Sequence, residues 1–500
     1  MIDEPEICLH PKAQERLFNA LLELSRTSQI FITTHSPYFL TNRAMENMAL
    51  FICRSGENGP EVSNLAAGGL FPWSPTWGEI NYLAYDMPTV DLHNELYGRL
   101  QELTEHWSIP RFDNYLVEAN DFTAIWNDMF INSLRNAIIS ENKAIQNNRS
   151  GIITGISKVI QAYGLGVATS LYGDIPFDQA GRIEFITPEF ESQSIVYEKV
   201  QILLNEAILE LYLDINKPIN GSDIFFNGDA EKWIKVANTL KARFFMHTKE
   251  YDLAYKYASL GIDKSSDNLV ATHGEVQGNS NLYYQFFTGS RGSELTSENT
   301  KILSLLDPSS PEYRGNLKTD ETARYNFYFS GNGRPNFISG YFTRSNSFPL
   351  VSFSENLLTL AESGLRTKNF YTGLSHLNEF RGYMASGGYL NNGFDTLSLK
   401  YNPYLQSDFE IGGFKNLNSV SKEDALLIEI LEERYVTFFG QIEGFNDVRR
   451  TRKEEVGIKL QPNTGSLLPE RFLYPQSEID SNPNTPSPLP GFFEPTEVNQ

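Results

Sequence analysis

The sequence predicts a mainly α protein of paired helices with long loops, preceded by a small, partial α/β segment. Three observations carry that prediction. Apolar residues recur at helical spacing from Phe122 onward, strand-like runs are few there, and roughly the first hundred residues follow a different order of strand, helix and strand. Five hundred residues exceed one ordinary core and allow roughly two to four domains.

Composition narrows the function classes. The chain carries 41 Lys and Arg against 62 Asp and Glu, a net charge of −21. So acidic a chain repels phosphate backbones, which excludes nucleic acid as a partner of the whole chain. Both cysteines, Cys8 and Cys53, fall in the first segment, so the remainder has no thiol for a disulfide, a thiolate metal site or a nucleophile. No uninterrupted apolar run is long enough to span a bilayer. The acidic opening residues predict no secretory signal, and the chain as written is expected in the cytoplasm.

The first segment opens on a short apolar strand end, Met1-Ile2, that runs into Asp3-Glu4. A helix follows from Pro11 to about Ser25, then a β-rich run from Gln29 to Thr34 that ends at His35-Ser36-Pro37. In open α/β sheets, ligands bind at the carboxyl ends of strands. Asp3 suits Mg²⁺ carried on a nucleotide, Glu4 the attacking water, and His35 a sensor of the terminal phosphate. Cys8, between Ile7 and Leu9, reads as a small apolar filler.

The blocks Asp3-Glu4-Pro5-Glu6, Leu9-His10-Pro11 and Thr34-His35-Ser36-Pro37 resemble the carboxy-terminal part of ABC-type and OLD-like AAA ATPases. The likeness continues through Trp77 to Tyr82 and His93 to Gly98, and fades near Leu103. It implies a partial P-loop NTPase fold, with ATP and Mg²⁺ as cofactors of a completed domain. No G-x-x-x-x-G-K-[ST] loop occurs in this sequence to cradle the phosphates. Residues 1–108 therefore read as a truncated fragment that neither binds nor hydrolyses ATP. Asp3, Glu4 and His35 are then inactive remnants, Asp3 a remnant Mg²⁺ ligand only, and no cofactor is expected. A junction spans 109–120, where Trp107-Ser108-Ile109-Pro110 breaks the preceding helix.

From 121 to 500 helices dominate. Ile125, Met129, Leu134, Ile138 and Ile139 mark the first. Val196, Val200, Leu203, Leu204, Ala207, Ile208 and Leu211 form a stripe behind an N-cap at Ser192 or Ser194. Further helices are predicted at about 231–247, 250–260, 353–366, 369–384 and 421–439, with polar loops at 262–300 and 305–348. Trp233, Ala237, Leu240 and Phe244 face Tyr251, Ala254, Tyr255 and Ala258 across one helix pair, and Leu357, Leu360 and Ala361 face Leu374, Leu377 and Phe380 across another. Such pairs look tetratricopeptide-like, although no exact repeat survives. A scaffold of this kind binds rather than catalyses.

Six blocks in order carry a second resemblance. They are Tyr172 to Phe177, Gly228-Asp229 with Lys232-Trp233, Ala237 to Arg243, Glu432-Glu433-Arg434, Asp447 to Arg450, and Leu468 to Pro475. Together they resemble the RagB/SusD family of nutrient-binding lipoproteins over about 117–500. The resemblance implies a SusD-like, non-enzymatic protein at the outer membrane that captures oligosaccharides or peptides for a SusC-like TonB-dependent transporter. Family members begin with a signal peptide, a lipid-bearing Cys and the first scaffold helices. Here the ATPase-like segment stands in that place, so surface anchoring is not encoded. The apolar faces near 122–139 and 152–170 are expected to lie uncovered, with reduced stability or oligomerisation as the consequence.

Within the six blocks the residues read as structural. Asp174 is expected to form a turn, Trp233 to be core, Asn238, Lys241 and Arg243 to tie helices and loops, Arg434 to find a partner on another element, and Arg449 and Arg450 to clamp the carboxy-terminal tail. Ligand contacts are expected from loop aromatics and amides, since sugar rings stack on aromatic faces and their hydroxyls bond polar side chains. The candidates are Tyr283, Tyr284 and Arg291, then Tyr325, Tyr328 and Asn332, then Tyr341 and Arg344. Alternation from Tyr325 to Phe329 equally fits a short buried strand, and Phe286-Phe287 fits core. Two other functions compete: an ATP-binding protein of the OLD or ABC type carried by the first segment, and a protein-binding helical scaffold, which gives no reason for the aromatic loops.

Overall fold

The computed structural model describes residues 115–500 apart from 147–150, 216–222, 277–278, 290–291, 293–296, 392–393, 395–398, 418 and 463; before these it describes 2–3, 17, 20–21, 23–34, 51–56 and 59–64. The chain divides into two compact units, Met1–Phe112 and Asp113–Gln500.

In the first unit β1 (Ile2–Asp3) pairs in parallel with β2 (Ile32–Thr33), Ile2 opposite Ile32 and Asp3 opposite Thr33. A parallel pair requires a crossover connection, and the described residues 17, 20–21 and 23–25 between the strands are helical. β3 (Phe51–Gly56) and β4 (Gly59–Asn64) form an antiparallel hairpin, which the sequence did not announce. Of the remnant ATPase positions, Asp3 ends β1, and Glu4 and His35 lie outside the described residues, as does Cys8.

The second unit is helical. α1 (Thr123–Asn127), a π-helical stretch (Asp128–Leu134) and α2 (Arg135–Gln146) run consecutively into the long α3 (Gly151–Tyr172) and α4 (Gln193–Leu213). The pair α5 (Ala230–His247) and α6 (Tyr251–Ala258) follows. Three short helices come next: α7 (Leu282–Thr288), α8 (Lys301–Leu306) and α9 (Thr322–Tyr328). The pairs α10 (Phe353–Thr367) with α11 (Phe370–Ala385), and α12 (Lys422–Thr437) with α13 (Ile442–Thr451), precede a final turn, α14 (Gln476–Ser481).

Starts are set by side-chain caps. Asp229 accepts from Lys232 N at 3.2 Å to open α5, Ser421 from Asp424 N at 3.0 Å to open α12, and Ser352 with Glu355 forms a reciprocal capping box on α10. Ser192 caps α4 by position but makes no capping bond. The described strands of this unit are short antiparallel pairs that staple loops: β5 (Ile175–Pro176) with β6 (Phe190–Glu191), β7 (Leu269–Ala271) with β11 (Phe348–Val351), β8 (Thr319–Asp320) with β12 (Lys400–Tyr401), and β9 (Phe329–Ser330) with β10 (Arg334–Pro335).

The largest core lies where α3, α4 and α5 meet. Glycines let these helices approach: a Cβ on Gly166 would sit 2.1 Å from Phe244 Cζ, and one on Gly155 would sit 2.6 Å from Leu211 Cγ. By length and composition α3 passes for a membrane span, a possibility the count of uninterrupted apolar residues missed because Gly, Ser and Thr break the run. Two thirds of its most apolar 18-residue window, 67%, is buried inside the protein, as in a core helix. Both faces expected to lie uncovered are largely buried, Trp126, Phe130, Leu134 and Ile138 in the first and Ile152, Val159 and Leu165 in the second, with Ile125, Ile131 and Ile139 exposed.

Three loop readings change. The stretch 262–300 contains α7 and 305–348 contains α9, with α8 bridging the two, each too short to show helical periodicity, and Tyr325 to Phe329 is α9 running into β9 rather than a buried strand. Asp174 accepts from Gln193 N at 3.0 Å, so it joins the α3 end to the α4 start instead of closing a local turn. Asn238 donates to Ile234 O within its own helix, while Lys241 reaches Asn205 on α4 at 2.8 Å. Arg449 clamps the tail at Glu470 O, 2.7 Å away, but Arg450 turns inward to Glu362 and Asp447.

Candidate ligand-binding site

Buried charge fixes the platform on which the site stands. Arg314, in the loop before β8, donates to Glu321 and Glu433 at 2.7 Å each and to Glu429 at 3.1 Å. Arg324 on α9 donates to the same Glu433 at 2.7 Å, and Tyr401 on β12 to Glu321 at 2.7 Å. Since Glu429 and Glu433 belong to α12, these bonds hold α9 and the loop before it against that helix. Burial by itself would raise the Glu433 carboxyl; Arg314 and Arg324 more than offset this and hold it down at about 2. A parallel set locks the helix pairs: Arg434 makes a bidentate contact with Asp447 on α13 (2.7 and 3.1 Å), the partner on another element that spacing predicts, and Arg450 does the same with Glu362 on α10 (2.7 and 2.6 Å).

Asparagines then set the loops on this platform. Asn281 caps α7 by accepting from Tyr283 N at 2.9 Å, and its amide donates to Asn346 O at 2.9 Å, while Asn281 N donates to Arg344 O at 2.8 Å. Asn336 donates to Asn326 O at 2.8 Å and accepts from Ser339 N at 3.1 Å. Tyr341 N donates to Phe327 O at 2.8 Å. The segment 336–346 is thereby fastened to both α7 and α9.

Between these elements lies an aromatic cluster. The Tyr283 ring stands 4.9 Å from Phe342, Phe342 stands 5.0 Å from Tyr341, and Tyr341 stands 5.3 Å from Tyr328, which in turn contacts Phe439 on the α12 side. Tyr283 also donates its hydroxyl to Gly440 O at 2.6 Å. Burial pushes the phenols of Tyr283, Tyr328 and Tyr341 up. The structure gives these three sequence candidates a packing role, and Phe287 likewise packs between Phe337 and Phe342. Tyr325 is half-buried beside Phe329. Arg291 and the side chain of Asn332 lie outside the described residues.

Two candidates do come together at the surface. The guanidinium of Arg344 lies 5.6 Å from the centre of the half-buried Tyr284 ring, in the first turn of α7. Arg344 Nε is buried without a hydrogen-bond acceptor. Leu282 and Ile338 are 73% and 78% exposed, and Phe337 is half-buried. The sequence did not single out Leu282, Phe337 or Ile338; their only signal is an apolar side chain inside an otherwise polar loop. Among the described residues no group of His, Cys, Asp and Glu is placed to hold a metal ion.

Comparison with known proteins defines the class. The sequence model of the SusD-like family, described as starch-binding and associating with the outer membrane, matches residues 79–475. The chain belongs to this family. That match begins inside the stretch read from sequence as ATPase fragment, and an AAA ATPase domain model matches residues 1–40. No curated protein matches the chain. Among solved structures, a SusD/RagB family protein from Bacteroides thetaiotaomicron VPI-5482 is 20% identical, with 76% of this chain and 88% of that one covered at a TM-score of 0.53. A chitin-binding SusD homolog from Flavobacterium johnsoniae is 17% identical, with 75% and 86% covered at a TM-score of 0.53. A chitin-binding protein is 22% identical, with 72% and 83% covered at a TM-score of 0.51. At these identities the likeness establishes the fold: the Asp113–Gln500 unit has the SusD-like, mainly helical architecture.

Proposed function

We propose that this protein binds oligosaccharide at the outer-membrane surface and passes it to a SusC-like TonB-dependent transporter. Membership of a family described as starch-binding and outer-membrane-associated supports the ligand class and the location, and two similar structures are of proteins named as chitin-binding. The observation that carries the position of the site is the Arg344–Tyr284 pair, a donor fork and an aromatic ring 5.6 Å apart on segments fastened by Asn281. Such a pairing supplies both kinds of contact a sugar takes. Calorimetric titration of the chain with oligosaccharide families tests the proposal. Saturable binding is expected, with loss of about tenfold or more in affinity on Tyr284→Ala, because truncating a central aromatic contact removes on the order of 2 kcal/mol. Unchanged affinity in that variant, with an unchanged melting temperature, would move the site elsewhere.

The first segment contributes no catalysis in this proposal. The sequence holds no phosphate-binding loop to complete Asp3, Glu4 and His35. No Mg²⁺-dependent ATP turnover is expected, and turnover that Glu4→Gln abolishes would contradict this. One observation favours the alternative of a protein-binding scaffold: Ile195, Ile202 and Leu209 recur at heptad spacing along α4, and all three are exposed.

A further inference from the structure

Ten half-buried or buried arginines of the second unit have protein acceptors. Carboxylates serve Arg243, Arg314, Arg324, Arg366, Arg434 and Arg450. A carboxylate also serves Arg452, and backbone carbonyls serve Arg381, Arg449 and Arg471. This is what burial demands, since a guanidinium removed from water without acceptors is costly. Arg344 is the exception among the described residues. It is half-buried, no carboxylate or carbonyl is paired with it, and its one side-chain interaction is with the ring of Tyr284; its buried Nε lacks an acceptor, as do those of Arg324, Arg449 and Arg452, but these three are bonded through their other nitrogens. The Arg344 backbone is also held, by Asn281 N donating to Arg344 O at 2.8 Å, so the side chain springs from a fixed point.

We infer that Arg344 is kept without a protein partner because its partner is an anionic group on the bound sugar, a carboxylate or a sulfate, and that this protein prefers acidic oligosaccharides. The inference rests on the proposed glycan-binding function and refines its ligand class. The planar guanidinium presents N–H donors in a fork that matches both oxyanions in bidentate fashion, and the Tyr284 ring supports it from one side. A charge-assisted bond of this kind discriminates strongly against a neutral ring, because the neutral ligand leaves the cation unmatched.

The test is a titration of the full chain with three oligosaccharides of equal length: a neutral one, a uronate-containing one and a sulfated one. At least one acidic ligand is expected to bind about tenfold tighter than the neutral one, and the two acidic arms tell carboxylate from sulfate. Arg344→Met should abolish the advantage and Arg344→Lys should retain part of it. Raising the salt concentration should shrink the advantage in the unmodified protein, a readout that holds even where a variant fails to fold. Equal affinity for neutral and acidic ligands would overturn the inference while leaving glycan binding intact. Binding of none of the three would overturn both.

Discussion

Arginines in this protein have two fates, and residue chemistry decides which. Arg450 sits between Glu362 and Asp447 at 2.6 to 2.8 Å with almost no exposure, so each charge has its counter-charge. Replacing Arg450 with Met leaves Glu362 to Arg366 and Arg434, and Asp447 to Arg434 alone, and a loss of about 1.5–3 kcal/mol in unfolding free energy is expected, read by chemical denaturation. The buried glutamates also set a pH limit. Burial would raise the carboxyls of Glu433 and Glu443, but Arg314 and Arg324 at the one, and His247 and Arg243 at the other, hold both down at about 2. Folded values below the ordinary 4.5 mean that the unfolded chain binds protons first, so this stabilisation is complete above about pH 4.5 and drains away as pH falls toward 2. Melting temperature should therefore drop over that window, and a flat profile there would contradict the assignment. The tyrosine-rich run around Tyr283 and Tyr284 was legible as important, but not which ring does what. Tyr283 packs against Phe342 and bonds Gly440 while the half-buried Tyr284 meets Arg344, and an aromatic residue beside amides has the same sequence signature in either role.

Five helices could be read directly from their apolar period: α5, α6, α10, α11 and α12 fall within a few residues of their expected spans, whereas α13, rich in charged residues, was not read. The short α7, α8 and α9 could not be, since one or two turns give no period and their positions depend on Asn281, Thr300 and the buried glutamates beneath them. Close helix approach was equally hidden. Gly166 looks like a weakness in α3 by propensity, yet it is where the buried Phe244 ring lies against the helix. Gly166→Ala is expected to destabilise by about 1–3 kcal/mol despite the better helix former, measured as a lowered melting temperature. A rise would show that α3 and α5 can part without cost.

At the scale of the whole molecule, two units with different relatives share one chain. The division between Met1–Phe112 and Asp113–Gln500 comes from contacts, while the SusD-like match starts earlier, at residue 79. The family was legible because its blocks, such as Asp447 to Arg450 and Leu468 to Pro475, are the residues that lock helices and tail, and locking geometry constrains sequence more tightly than ligand contact does. The ligand was not legible, because the loops proposed to meet it are held by backbone bonds that many sequences can make. The most direct test of the binding account is hydrogen exchange with and without a saturating oligosaccharide. Slowed exchange is expected at residues 281–288 and 339–346, where Asn281 joins the two segments beside Tyr284 and Arg344. Saturable binding with no slowing there, and protection on the exposed face of α4 instead, would contradict the account.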